Sequence, residues 1–327
     1  LGTVVLIYKS LKYIAINTNT TLDYFPKVLV NAYRQPSLQS NFNFIILGVD
    51  PRDDQLEKTQ VSDSIIVGRL TSSGKANLIS IPRDLWVYQL SAKVNQIYPL
   101  SREKVSSVDH QNFIQDNFST LTGQKISKTI VLTTDNLIGL TKIIGGVDID
   151  MKSTYTDKLY PNPEYVKNPS PRISKYITVV FSQGPIHLDE TNITEFVRSR
   201  KGQYEDGSGG TDLGRIERQQ QLISAILTKL KSPTIYKNTT TLFKLYRFWR
   251  EKIDTNISDQ DIFSLVLSNP GLISNLTLNR GSIPIGDNPK TDILYHPTKS
   301  NFTAWVYIPQ TSDYRQFQDY ISSFLNQ

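Results

Sequence analysis

Apolar and polar positions along the chain mark out short strands and helices that alternate through most of its length. Residues 42–47 form a short apolar run ending at Gly48 and read as a buried strand. Runs 64–70 and 75–81 are β-rich and separated by Thr71-Ser72-Ser73-Gly74, which predicts a hairpin ended by Pro82. Ile114, Phe118 and Leu121 recur at helical spacing and predict a helix stopping near Gly123. Leu137, Leu140 and Ile144 predict a second helix, with Asp135 as its N-cap and Gly145-Gly146 as its stop, followed by a strand at 147–151. Residues 189–197 read as helical. The longest predicted helix is 212–231, with Ile216, Ile223, Leu227 and Leu230 as its core stripe. Ser258 and Asp261 form a capping-box pattern for a helix running to about Ser268, and 313–325 carries Phe317, Tyr320, Ile321 and Phe324 on one face. The expected class is α/β.

Three stretches read as irregular. Residues 16–41 are rich in Asn, Thr and Gln and look like a connecting stalk. Residues 153–175 hold Pro161, Pro163, Pro169 and Pro171 and read as a long insertion. Residues 202–211 are glycine-rich without the GK[ST] ending of a nucleotide-binding loop, so a flexible loop is expected. The opening residues 1–15 are either the outer end of a membrane anchor or an amphipathic helix of the soluble domain. Their apolar run 4–8 is far short of the ~20 residues that span a bilayer.

Composition narrows the chemistry. The chain has 327 residues, a formal charge of +6 and no cysteine. Disulfides, thiolate metal sites and a cysteine nucleophile are excluded. His110, His187 and His296 are far apart, which argues against a histidine metal site. The positive charge favours an anionic partner. Nucleic acid is not expected, because no basic–aromatic interleaving or known module is present.

Asp50 and Arg52 follow directly on the first predicted strand, where ligands collect in open α/β sheets. Asp63 opens the next strand. The two aspartates can share a hard cation such as Mg²⁺, which takes one or two carboxylates plus phosphate oxygens and waters. Equally, Asp50 can be a turn residue and Asp63 a cap. Arg83, in Ile81-Pro82-Arg83-Asp84, is either a phosphate ligand or a surface arginine paired with Asp84. Arg198 and Arg200 align only if the chain leaves its helix extended; otherwise they complement the helix dipole. Arg215 and Gln219 share a helix face by their spacing, as a ligand pair or as a solvated charged face. Lys93 is unremarkable alone. Together these arginines sit at predicted element ends, and guanidinium forks suit a pyrophosphate.

The ordered segments FIILGVDPRDD (44–54), VSDSIIV (61–67), LISIPRDLWV (78–87), KVNQIY (93–98), TTDNLIGLTKIIGGVDIDM (133–151), GPIHLDETNITEFVRSRKG (184–202) and DLGRIERQQQLISAI (212–226) resemble the LytR–CpsA–Psr family of bacterial cell-wall ligases. The resemblance implies a three-layer α/β/α sandwich with a central mixed β-sheet. It implies a membrane-proximal segment at 1–41, a catalytic domain at 42–285 and a C-terminal extension at 286–327. The extension either packs on the core or binds a partner. The implied activity is Mg²⁺-assisted transfer of a glycopolymer from an undecaprenyl-pyrophosphate carrier to a peptidoglycan hydroxyl. The implied location is outside the cytoplasmic membrane, on a single-pass N-terminal anchor. Asp50 and Asp63 match the metal-associated aspartates, which with Arg83 and Arg215 form the expected catalytic set. Arg52, Arg83, Lys93, Arg198, Arg200, Arg215 and Gln219 match the pyrophosphate-binding set. Val61 stands where the family usually has an arginine, with Lys58 as a nearby substitute. Lipid-pyrophosphate hydrolysis and non-catalytic glycan binding are the alternatives.

Overall fold

The computed structural model describes residues 2–38, 41–50, 60–105, 109–210, 212–297, 302, 304–311 and 313–327. The chain divides into two compact units. The first is assembled from Leu1–Asp50, Thr59–Leu132 and Arg250–Gln327, and the second contains Thr133–Trp249.

The first unit holds a six-stranded mixed sheet. Strand Phe42–Val49 pairs antiparallel with Ser62–Leu70, which pairs antiparallel with Lys75–Ser80. Lys75–Ser80 pairs in parallel with Thr277–Ser282 on its other side. Ile126–Thr133 and Asp254–Thr255 complete the sheet beyond Phe42–Val49. The expected α/β class with a mixed sheet is therefore what the chain adopts. Register aligns Ile45, Val67 and Ile79 across three strands, and all three are buried in one core. Into that core pack Ile114, Phe118 and Leu121 of helix His110–Thr122, and Phe317, Ile321 and Phe324 of helix Arg315–Leu325. This places the terminal helix of 286–327 in the core.

The stalk expectation is corrected. Residues Tyr24–Arg34 form a helix with Ala32 buried, and this helix packs on Asp259–Ser268. The polar composition around it hid an apolar stripe. Tyr24 donates to Asp259, and Ser37 Oγ donates to Asp261 at 2.7 Å. Asp261 also completes the expected capping box with Ser258 and pairs with Lys128 at 2.7 Å. Burial alone would raise the Asp261 carboxyl, but Lys128 and hydrogen bonds from Ser258 and Ser37 outweigh it and hold it below the usual carboxylate range. Because the folded value is lowered, the stabilisation is full above the ordinary carboxylate range and is lost as pH falls through the folded value. Asp261→Asn should therefore destabilise by about 1.5–3 kcal/mol at neutral pH. In urea unfolding, the gap to wild type should close in strong acid. An equal gap at both pH values would contradict this.

The first helix is Gly2–Thr18. Among the described residues, no helix is long and apolar enough to cross a membrane.

The second unit is built around an apolar core of Val147, Ile149, Tyr155, Phe181, Ile193 and Phe196 with Leu222. Val147–Met151 pairs antiparallel with Gly184–Leu188. Helix Thr134–Ile144 starts at Thr133 and not at the expected Asp135. Thr133 and Asn136 form the reciprocal cap, while Asp135 lies in the first turn. Gly145, at φ 72°, ends the helix as expected. The expected insertion at 153–175 is instead strand Tyr155–Pro161 followed by helix Pro163–Lys167. The prolines misled because Pro161 closes the strand and Pro163 occupies the first helical turn after the Asn162 cap, where its missing N–H is harmless. The expected helix 189–197 is Ile193–Arg198, preceded by a turn in which Asp189 accepts from Thr191. Within the glycine-rich stretch, Gln203–Tyr204 pairs with Tyr155–Thr156, and Tyr204 N–H bonds to Ser208 O at 2.8 Å. Thr211 lies outside the described residues.

Candidate active site

In the first unit, Asp50 directly follows strand Phe42–Val49. Register runs Gly48↔Ser64 and then Val49↔Ser62, so Asp63 is the extra residue of a β-bulge opposite that strand end. A bulge re-aims the side chain it carries and is common beside active sites. Asp50 and Asp63 thus stand at the same end of two paired strands, both half-buried. The approach at this point is tight: a Cβ on Gly48 would meet Ser64 Cβ at 2.8 Å.

Arg83 comes to Asp63 from the turn after the hairpin, where Leu85 N–H bonds to Pro82 O at 3.0 Å. Its Nη1 donates to Asp63 Oδ1, and its Nε lies 3.6 Å from Asp84 Oδ2. Lys93 returns to the same place because Trp86–Val87 pairs antiparallel with Ala92–Lys93 around the left-handed Ser91. Lys93 Nζ donates to Asp84 Oδ1 at 2.6 Å. The result is an alternating chain of charges, Asp63–Arg83–Asp84–Lys93, whose members are only 16–24% exposed. Arg83 is therefore not simply a surface partner of Asp84, and Asp84 is a member of the set that the spacing did not single out.

Asp50 stands at the strand end beside this chain of charges. The donors are all oxygen, and a carboxylate with one oxygen on a guanidinium retains acceptor capacity. Asp50 and Asp63 are the residues that could hold a hard divalent cation, which takes one or two protein carboxylates. Arg52 and Lys58 lie outside the described residues. Val61 is half-buried just before strand Ser62–Leu70.

The second unit gathers the other residues. Arg198 ends helix Ile193–Arg198, and its Nη2 donates to Thr134 Oγ1 at 3.4 Å, in the first turn of Thr134–Ile144. Ser199 has φ −59° and ψ 132°, so the chain does leave that helix extended. Ser199 is buried while Arg198 and Arg200 on either side are half-exposed, which is the alternation of an extended segment. In helix Asp212–Leu230, Arg215 is only 3% exposed. Gln219 donates to Val197 O at 3.3 Å, and the adjacent Arg218 donates to Phe196 O at 3.3 Å and to Ser199 O. The spacing missed Tyr155 and Asp157, whose only signal is polar side chains at buried positions of a strand that reads as an insertion, and Arg218, a buried polar position within the predicted helix 212–231.

The fold defines an α/β protein with a mixed sheet, carrying carboxylates and arginines at its element ends. A family model matches residues 7–318, and the chain belongs to the LytR_cpsA_psr family. It is similar to the polyisoprenyl-teichoic acid–peptidoglycan teichoic acid transferase TagV of Bacillus subtilis, at 24% identity over 274 residues, covering 80% of this chain and 61% of that protein. The transferase TagU of Oceanobacillus iheyensis is 25% identical over 239 residues, covering 72% of this chain and 65% of that protein. The chain thus spans under two thirds of the length of these curated relatives. Among solved structures, B. subtilis TagV aligns with a TM-score of 0.57 at 20% identity, covering 88% of this chain and 98% of that one. TagT bound to LIIa-WTA aligns at 0.55 and 17% identity, covering 88% and 90%. At such identity the likeness is one of fold.

Proposed function

We propose that this protein transfers a glycopolymer from an undecaprenyl-pyrophosphate carrier to a peptidoglycan hydroxyl, forming a phosphodiester and releasing the lipid phosphate. The observation that carries this reading is the bulge that sets Asp63 beside the strand end at Asp50, with Arg83 on its carboxylate. The names of the curated relatives, both teichoic acid transferases, support it.

The acceptor hydroxyl attacks the phosphate nearer the glycan, and the bond to the lipid phosphate breaks. Such transfer asks mostly for positioning and charge neutralisation. Mg²⁺ held by Asp50 and Asp63 would neutralise charge on phosphate oxygens. Arg83 and Lys93, together with Arg52, and separately Arg198, Arg200, Arg215 and Gln219, serve the same reaction as phosphate ligands. The same reading keeps the catalytic domain outside the cytoplasmic membrane on a single-pass N-terminal anchor.

The test is release of lipid phosphate from a polyprenyl-pyrophosphate-linked glycan, with and without peptidoglycan. Release that requires peptidoglycan is expected. Equal release without it would mean hydrolysis. Binding without release would favour the non-catalytic alternative, to which the missing arginine at Val61 lends support.

A further inference from the structure

Around the Arg198–Arg200 pair lies a buried polar network that the reaction above does not use. Tyr155, Asp157, Ser199 and Arg218 are each at most 1% exposed. Asp157 accepts from Ser199 Oγ and from Lys201 N–H at 3.3 Å, and its other oxygen accepts from Leu159 N–H at 2.9 Å. Tyr155 Oη lies 3.0 Å from Ser199 Oγ and accepts from Gly202 N–H at 3.2 Å. Arg218 lays its guanidinium over the Tyr155 ring, 4.0 Å from the centroid, while donating to Phe196 O and Ser199 O. Tyr204 packs edge-on against Tyr155 at 5.2 Å. Burial pushes its phenol up, and the nearby Arg218 pulls the other way.

Burying a guanidinium and a carboxylate carries a desolvation penalty of several kcal/mol per ion. The surrounding core of Ile193, Phe196, Phe181 and Leu222 is apolar, so these polar groups find their partners only within the network. The bonds from Arg218, Gln219, Asp157 and Tyr155 land on Phe196, Val197, Ser199, Lys201 and Gly202, the residues flanking and separating the two arginines. A guanidinium fork needs its orientation fixed to bind phosphate bidentately, and a misplacement of about 1 Å can lower rates by about 100-fold.

We propose that Arg218, Asp157 and Ser199 are positioning residues: a buried clasp that holds the 196–202 backbone so that Arg198 and Arg200 stand side by side toward a diphosphate. The proposal rests on the reading of those two arginines as pyrophosphate ligands.

The test measures affinity of the full chain for inorganic pyrophosphate by titration calorimetry, with the folded fraction checked by thermal unfolding. Ser199→Ala removes only a hydroxyl and should fold even if Arg218→Met does not. It is expected to weaken pyrophosphate binding about tenfold or more, by misplacing both arginines. The double variant Arg198→Ala with Arg200→Ala should also bind weakly. Adding Ser199→Ala to that variant should cause little further loss, because the clasp then has nothing to position. A purely structural role would lower the unfolding temperature and leave affinity intact. Wild-type affinity in Ser199→Ala, or a fully additive loss, would overturn the clasp. If removing both arginines leaves affinity unchanged, the ligand reading itself fails, and the positioning proposal falls with it.

Discussion

Asp50→Ala is expected to lower glycan transfer by about 1000-fold, the scale seen when one preorganised electrostatic group is removed from a reaction centre. Asp50 follows the strand that pairs with Ser62–Leu70, so it adjoins the bulged Asp63 without adding to the sheet core. Its loss should therefore leave thermal unfolding close to wild type. Without it, Asp63 alone would hold the cation, and Arg83 already engages one Asp63 oxygen. The Mg²⁺ concentration giving half-maximal rate should rise sharply. Asp63→Ala should behave alike, with an added loss of stability from removing the carboxylate that Arg83 Nη1 donates to. Near-normal turnover by purified, folded Asp50→Ala would remove Asp50 from the reaction.

The second large effect belongs to Arg215. It lies near the start of helix Asp212–Leu230 and is almost wholly buried. Arg215→Ala should lower turnover by about 1000-fold, as expected for an arginine that stabilises charge on a transferred phosphoryl group. Because its stem is packed, some stability goes too, about 1–3 kcal/mol. Arg215→Lys separates the two losses. It keeps the charge and most of the packing, but lysine lacks the planar fork. The expected outcome is a stable protein that still turns over poorly. Full activity in Arg215→Lys would mean that only charge at this position matters.

Much of the fold was legible because its period was clean. Ile114, Phe118 and Leu121 marked a helix that closes over the sheet, and Ser258 with Asp261 marked a cap that the structure contains. The hairpin was legible from its turn residues. What misled was polarity at buried positions. Asp157 and Tyr155 lie in the second unit's interior, and their hydrogen-bonding side chains interrupt the apolar signal of a strand. Pro161 and Pro163 then argued for a loop although each sits where a proline is tolerated. Tyr24–Arg34 was hidden by the polar residues around it, and the helix it packs on lies far away in sequence, as the Tyr24–Asp259 separation of 235 shows.

The candidate site was legible in its residue types and less so in its connections. Spacing could raise Asp50, Asp63 and Arg83, but the link from Arg83 to Asp63 depends on register and a bulge. The Asp84–Lys93 contact depends on a tight hairpin around Ser91. Arg198 and Arg200 flank an extended, buried Ser199 that bonds to Asp157 and Arg218, contacts that spacing does not reveal.

The central claim is transfer to a sugar hydroxyl rather than to water. Its most direct measurement runs the reaction in ¹⁸O-labelled water, with lipid-pyrophosphate-linked glycan and peptidoglycan, followed by mass spectrometry of the digested product. The account predicts a glycan joined to peptidoglycan through a phosphodiester, with no ¹⁸O in that phosphate. A free glycan phosphate carrying ¹⁸O would contradict it.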